Sequence, residues 1–309
     1  FMKNCLIILF LLLVVQLQSC TENMDDAEIR SIGMTRNKKA ASFIHKLGLN
    51  PAQAAFSSSV NNVKGIVLLQ AVAGFQDSFV RYQHPSWAQY GWMGSITADD
   101  SGNIYTAPIP FVNNLEHTLS NINSIYKIDQ QTGEMELFYS LPKPDSAAGV
   151  IPFGVMGLYY DPHARKLYAA SIAGSTRDEE KGKIYVIDIA KKEVIDQLDG
   201  VDAMAVFVGG ITGEKKLYFG TCRNPDIRSV LLSKSGHIVS KMQTELSLDG
   251  IGPRGNDKAR RVRYDQQGNL LVYGIEFDYS LAANSNRVET LYKFTYSAGE
   301  KKWVLTETH

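Results

Sequence analysis

The chain of 309 residues is 44% hydrophobic and 21% charged, the balance of an ordinary globular protein long enough to bury a sizeable core. Lys+Arg and Asp+Glu both total 32, and no basic run breaks that balance. With no net charge and no basic stretch there is no electrostatic reason to bind nucleic acid, and that partner class is set aside.

The N-terminus reads as a targeting segment. Met2-Lys3-Asn4 is a short basic start, and Cys5 to Val15 is an apolar run of eleven residues. That is too short for a bilayer span of about 20 residues and the right length for a signal-peptide core. Leu17-Gln18-Ser19-Cys20 then looks like a bacterial lipobox, in which Cys20 is acylated and becomes the mature N-terminus. The alternative is an ordinary cleaved signal with an incidental cysteine. Residues 1–20 are thus expected to be a lipoprotein signal peptide. The protein is expected to be exported and anchored to the bacterial cell envelope, facing the periplasm or the surface. Cysteine usage agrees: with Cys5 removed and Cys20 lipidated, only Cys222 remains, and no intramolecular disulfide can form. A lone Cys222 reads as a packed small residue rather than a nucleophile.

Thr21 to Asn37 is polar and at first acidic (Glu22, Asp25, Asp26, Glu28), and reads as a tether. Lys38 to Leu47 is expected to form one short helix, stopped by Gly48 and Pro51. Residues 21–53 therefore precede a β domain over 54–309, in which no long amphipathic helix is predicted.

Internal repetition decides the architecture of that domain. Val155 to Leu198 holds V-M-G-L-Y-Y, K-L-Y-A-A-S-I, K-I-Y-V-I-D-I and E-V-I-D-Q-L, four strand-length runs separated by turn residues. The second strand of each related unit carries an aliphatic–aromatic pair or its equivalent: Ile104-Tyr105, Leu167-Tyr168, Leu217-Tyr218, and Leu270-Leu271 with Tyr273. Third strands begin at Ser124, Lys183, Ser229 and Thr290. Phe56 to Gln83 makes a further blade or part of one. The fold class expected is all-β, a β-propeller of four-stranded blades, five or six in number, since a closed ring leaves only short, protected sheet edges. A large β-sandwich is the alternative, but it does not account for the recurring strand order.

Connections between first and second strands, and between third and fourth, are short. Those between second and third strands, and between blades, are long and polar. In a four-stranded blade the two long classes emerge on one face, where function on a rigid scaffold is expected. That face is predicted to collect Asn113, Asn114, Glu116 and His117, then Arg177, Asp178, Glu179 and Glu180, and Arg223, Asn224 and Asp226. The last blade adds Arg254, Asn256, Asp257, Arg260, Glu276 and Asp278, and the segment His84 to Trp92 is placed there too, with Trp92 as an aromatic contributor. Arginines with amides and aromatics suit an oxygen-rich ligand such as a carbohydrate or carboxylate. For Arg177 to Lys181 a plainly solvated loop is the favoured reading.

Several motifs fail. Gly250-Ile251-Gly252-Pro253-Arg254-Gly255 matches G-x-G-x-x-G, but it lies between blades with Pro253 inside it, not in a strand–turn–helix unit, and reads as a loop. The six histidines have no metal-ligand spacing. Oxygen-ligand calcium stays open, because propeller carboxylates come from separate blades.

Blade units such as K-L-Y-A-A-S and K-I-Y-V-I-D-I-A-K-K-E-V resemble the six-bladed calcium-dependent lactonases (the SMP-30/gluconolactonase group) and the related NHL-type propellers, over roughly Gly65 to Thr306. The resemblance implies a propeller and, in the lactonases, a channel metal held by a glutamate near the first blade with an asparagine and an aspartate at inner-strand ends. The early glutamate has no counterpart here, so only the fold carries over. Asp202, Asp257 and Glu276 are the carboxylates expected to approach such a metal set. The function expected is a lipid-anchored envelope propeller that binds a small polar ligand, glycan or protein on its long-loop face. The alternatives are a calcium-dependent lactonase-like hydrolase and a purely structural assembly partner.

Overall fold

A computed structural model of the chain describes residues 26–34, 39–60, 63–72, 74, 78–110, 121–143, 152–279 and 288–309. Two short helices, α1 (Asp26–Ser31) and α2 (Ser42–Lys46), precede the sheets. Blade 1 is a three-stranded sheet of β1 (Ala54–Ser57), β2 (Val67–Ala71) and β3 (Phe79–Tyr82). Blade 2 holds β4 (Met93–Ala98), β5 (Ile104–Pro108), β6 (Ser124–Ile128) and β7 (Met135–Ser140). Blade 3 holds β8 (Val155–Asp161), β9 (Lys166–Ser171), β10 (Lys183–Asp188) and β11 (Glu193–Asp199). Blade 4 holds β12 (Ala203–Ile211), β13 (Glu214–Thr221), β14 (Asp226–Leu231) and β15 (Gln243–Ser247). Blade 5 holds β16 (Lys258–Tyr264), β17 (Leu270–Ile275), β18 (Thr290–Ser297) and β19 (Lys302–Thr308). All pairing within blades is antiparallel, and the fold is an all-β propeller of five blades. Of the two counts the sequence left open, five is correct. The six blades of the lactonase group are not matched.

The strand patterns follow from radial packing. A middle strand has a blade against each face, so β9 and β10 read as nearly continuous apolar runs with every residue but the first buried. Outer strands such as β11 lack that cover and turn polar. The four inner strands share a β-bulge near their long-loop ends, at Met93/Ile96, Val155/Gly157, Ala203/Ala205 and Ala259/Arg261. A bulge adds a residue and strengthens local twist, which lets flat ladders fan out around an axis. Neighbouring inner strands are also tied by side chains: Ser95 Oγ accepts from Leu158 N at 2.9 Å and Thr97 Oγ1 from Tyr160 N at 3.2 Å.

The short turns use one device twice. Asp99 Oδ1 accepts from the amides of Ser101 and Asn103 at 2.9 Å, while Asn103 Nδ2 donates to Asp99 Oδ2 at 2.8 Å. Asp265, Gln267 and Asn269 repeat this arrangement at 2.9 and 2.8 Å. Gly102 and Gly268 supply the left-handed residue each turn needs, at φ 93° and 81°.

Within the stretch expected to be a tether, residues 26–34 pack against the short-turn end of blade 4. Ile29 and Ile32 are buried, and Ile32 joins the apolar cluster between blades 3 and 4. Gly210 of β12 admits this segment, since a methyl group there would stand 1.7 Å from the carbonyl oxygen of Ile29. Residues 1–25, with Cys20, lie outside the described residues.

Four apolar clusters join consecutive blades: 1 to 2, 2 to 3, 3 to 4, and 4 to 5. Among the described residues none contains side chains of both blade 5 and blade 1. A buried ion pair reinforces the 3–4 junction, with Lys215 Nζ 2.6 Å from Asp161 Oδ2 and both side chains at most 2% exposed. Removing one partner strands the other charge away from water, so Lys215→Met is expected to destabilise the protein by about 3–5 kcal/mol. Denaturant unfolding of the variant measures this, and a loss below about 1 kcal/mol would show that the pair does not hold the junction.

Candidate functional site

Inner strands run away from the long-loop face and second strands return to it, so both long connections of a blade gather at one mouth. Three of its charged residues are fixed there by a single network. Asp202, wholly buried just before β12, accepts from Ser175 Oγ, from Gly182 N at 3.0 Å, from Tyr279 Oη at 2.8 Å and from Arg223 Nη2 at 3.0 Å. Its own amide donates to Glu180 Oε1 at 2.7 Å. Arg223 also donates to the carbonyls of Arg177 at 2.9 Å, Thr176 at 2.9 Å and Glu179 at 2.7 Å, and its guanidinium lies 5.1 Å over the ring of Tyr279. One carboxylate thereby ties the blade 3 loop, the start of blade 4 and the segment after β17. Tyr279 sits at φ 63°, an uncommon conformation for a bulky side chain, which this network holds in place. Burial pushes its phenol well up, helped by Cys222 and Asp202, so it stays a donor.

Beneath the network lies an apolar layer of Phe153, Ile172, Met204, Cys222, Ile275 and Tyr279, with Met156 and Phe277 packed against it. Cys222 is 1% exposed, and burial followed by the charge of Asp202 raises its thiol, which keeps it an uncharged packing group.

Asp257 holds the equivalent place before β16 and is also wholly buried. Arg254 grips it through Nε and through Nη2 at 2.8 Å, and Tyr292 Oη donates to it at 2.8 Å. Arg254 reaches on to Thr290 Oγ1 at 2.9 Å. The bond to Asp257 raises the Arg254 guanidinium, while burial and then Asp257 push the Tyr292 phenol up to about 12. The backbone follows suit, because a Cβ on Gly274 would meet Asp257 at 2.8 Å. Lys258 donates to the Asn256 carbonyl at 2.9 Å, and burial lowers its ammonium against the opposing pull of Asp257.

The predicted residues thus divide. Asp202 with Arg223, and Asp257 with Arg254, form two separate arginine-locked centres and do not converge with Glu276. Among the described residues no three His, Cys, Asp or Glu side chains group as a metal site. Arg177, Asn224, Asn256, Arg260 and Glu276 are exposed. Arg260 is the extra residue of the β16 bulge, the place occupied by Met156 and Met204 in blades 3 and 4. Trp92 is half-buried at the start of β4, its carbonyl accepting from Ile109 N at 2.9 Å. The rest of the segment His84 to Trp92 departs from expectation. A 3-10 turn, Pro85–Ala88, lies against the short-turn end of blade 2, where Trp87 Nε1 donates to the Gly133 carbonyl at 2.7 Å and Met135 N to Ser86 Oγ at 2.9 Å. Asn113, Asn114, Glu116 and His117 lie outside the described residues. Sequence reasoning missed Ser175, Tyr279, Thr290 and Tyr292, whose roles depend on partners distant in the chain.

No family model matches the chain, and no curated protein matches it. Solved structures similar to it include a GH43 β-1,3-galactosidase at 11% identity, with 78% of this chain and 53% of that one covered and a TM-score of 0.45. A second GH43 β-1,3-galactosidase, with galactodeoxynojirimycin, is 9% identical over 78% and 85%, at 0.48. The exo-β-1,3-galactanase of Phanerochaete chrysosporium, with galactose, is 12% identical over 80% and 58%, at 0.47. The chain spans about half the length of the first of these, and the likeness is one of fold alone.

Asp202→Asn leaves Arg223 without its counter-charge and is expected to cost on the order of 3 kcal/mol. Amide hydrogen exchange over residues 174–182 should quicken in this variant more than exchange in β12. Tyr279→Phe removes one donor and is expected to cost about 1 kcal/mol. Unchanged exchange in both variants would mean that the network does not order the loop.

Proposed function

We propose that this protein is an exported, lipid-anchored envelope protein whose propeller binds a glycan at its long-loop mouth. The observation that carries the reading is the segment Glu276-Phe277-Asp278-Tyr279 that continues β17 across the mouth. Phe277 rests against Phe153 and Tyr279, with ring centroids 5.5 and 5.0 Å away, and Tyr279 is buried on Asp202. The two anchors leave Glu276 and Asp278 exposed on either side of Phe277. Carboxylates accept strongly from sugar hydroxyls, and Arg260 on the neighbouring strand adds donors. Half-buried Trp92 and Phe277 add apolar surface for ring faces. The reading assigns binding and no reaction. Anchoring rests on the lipobox ending at Cys20.

Calorimetric titration of the mature chain with a panel of neutral oligosaccharides tests the mouth. Glu276→Gln and Asp278→Asn are each expected to weaken the best binder about tenfold, roughly 1.4 kcal/mol, while Arg177→Ala leaves affinity unchanged. If no saccharide in the panel binds, or both variants bind as well as the parent, the mouth reading fails. Cys20→Ser should move the protein from the membrane to the soluble fraction, and retention in the membrane would rule out the anchor.

A further inference from the structure

The chain ahead of the sheets lies on the short-turn face of the ring, opposite the mouth. Residues 26–34 meet three blades there. Glu28 Oε1 lies 3.9 Å from His163 Nδ1 in the β8–β9 turn of blade 3. The Ile32 carbonyl accepts from Gly210 N at 3.2 Å, near the end of β12 in blade 4. Met34 Sδ stands 3.5 Å from where a Cβ on Gly268, in the β16–β17 turn of blade 5, would be. Residues 39–47 fasten to blade 2. The Gln130 carbonyl, in the β6–β7 turn, accepts from Phe43 N at 3.0 Å and from Ser42 Oγ at 2.9 Å, and the Gln131 carbonyl accepts from Lys46 Nζ at 2.9 Å. A Cβ on Gly133 of that turn would meet the Phe43 ring at 3.1 Å. The two stretches form a strap fixed to the short-turn ends of blades 2 to 5, with Ile29, Ile32, Phe43 and Ile44 buried on its inner side.

This geometry limits where a group attached at Cys20 can go. Asp26 is six residues from Cys20, and an extended chain spans at most ~3.6 Å per residue, or about 22 Å. To reach the long-loop side from β12, the chain must cross three strand spacings of ~4.8 Å to the rim of a four-stranded blade. It must then climb an outer strand such as β11, seven residues at ~3.3 Å each, for a path of about 37 Å. The direct way along β12 itself, nine residues, is about 30 Å. Both exceed the tether, so an anchor at Cys20 can lie only on the short-turn side.

The charge of that side suits an anionic surface. Arg30, Lys39, Lys46, Lys192 and Lys301 are exposed on the strap and on the outer turns of blades 3 and 5. Acids of the neighbouring turns are paired: Asp100 with Arg165 at 3.5 Å, Glu193 with Lys191 at 3.4 Å, and Glu300 with Lys302 at 2.5 Å. Basic side chains within a Debye length of an anionic leaflet are drawn to it.

We propose that the short-turn face is a membrane-facing surface, held against anionic lipid headgroups by the strap, so that the mouth points away from the bilayer. The inference rests on the anchor at Cys20 proposed above and adds to it an orientation and a contact face.

Fluorescence of the lipidated full chain in vesicles of phosphatidylethanolamine and phosphatidylglycerol, some headgroups carrying a nitroxide quencher, tests this. Cys222 is 1% exposed and does not label, so single fluorophores can be attached through Lys192→Cys, Lys301→Cys and Arg177→Cys. Labels at 192 and 301 should lose fluorescence to the nitroxide. The label at 177, on the mouth, should keep the signal it has on nitroxide-free vesicles. Gly210→Ala sets a methyl group 1.7 Å from the Ile29 carbonyl oxygen and so displaces residues 26–34. The difference between short-turn and mouth labels should then shrink, because the free tether lengthens to residue 39. The proposal is overturned by equal quenching at all three sites, by stronger quenching at 177, by quenching at none of them in vesicle-bound chain, or by a difference undiminished in Gly210→Ala. Those outcomes leave the anchor standing. If Cys20→Ser stays on the vesicles at high ionic strength, where headgroup attraction is screened, the anchor itself fails and the orientation falls with it.

Discussion

The carboxylate of Asp202 is the constraint on which the long-loop face depends. A buried charge without partners is costly enough that the surrounding structure must supply them permanently. Here the donors come from the blade 3 loop (Ser175 and Gly182), from blade 4 (Arg223) and from the end of blade 5's second strand (Tyr279). Arg223 also donates from Nη1 and Nη2 to three carbonyls of the blade 3 loop, so backbone without a strand partner is still satisfied. The order of the mouth on three blades thus descends from one side chain. The left-handed Tyr279 is a local consequence of it.

The ring beneath is held by a different kind of force. Apolar burial is non-directional and works wherever two blades present smooth faces, as at the four junctions from blade 1 to blade 5. Polar contacts are directional and specific. At the mouth they gather on Asp202 and Asp257, and a few also cross the junctions, as where Ser95 and Thr97 of β4 accept from amides of β8. The Asp161–Lys215 ion pair lies inside an apolar junction, near the short turns, where it fixes how two blades meet at their rim.

The blades were legible because sandwiched middle strands must be apolar on both faces, which leaves runs such as Lys183 to Asp188 that few other settings produce. The repeated Asp–Gly–Asn turns were legible for a similar local reason: each is closed by its own side chains. Less was legible wherever a residue's role depends on ring closure. Asp202 and Asp257 could be placed at inner-strand starts, yet nothing near them in sequence announces Tyr279, 77 residues away from Asp202, as a partner. Residues 26–34 read as polar because two buried isoleucines three apart give too little periodicity to stand out. His84 to Trp87 were misplaced because Trp87 is drawn to the Gly133 carbonyl, a contact that only tertiary packing creates.

The same distinction decides which charges at the mouth are available for chemistry. Asp202 and Asp257 have the carboxylates that a metal or a proton transfer would require. Each is committed to an arginine and a tyrosine in a site without solvent, and a cation entering there would have to displace a guanidinium at full desolvation cost. Glu276 and Asp278 differ from them in being exposed. Alternation along an extended segment sends Phe277 and Tyr279 inward and leaves Glu276 and Asp278 exposed. Burial therefore assigns Asp202 and Asp257 to the scaffold, and it is the exposed Glu276 and Asp278 that the proposed glycan site draws on.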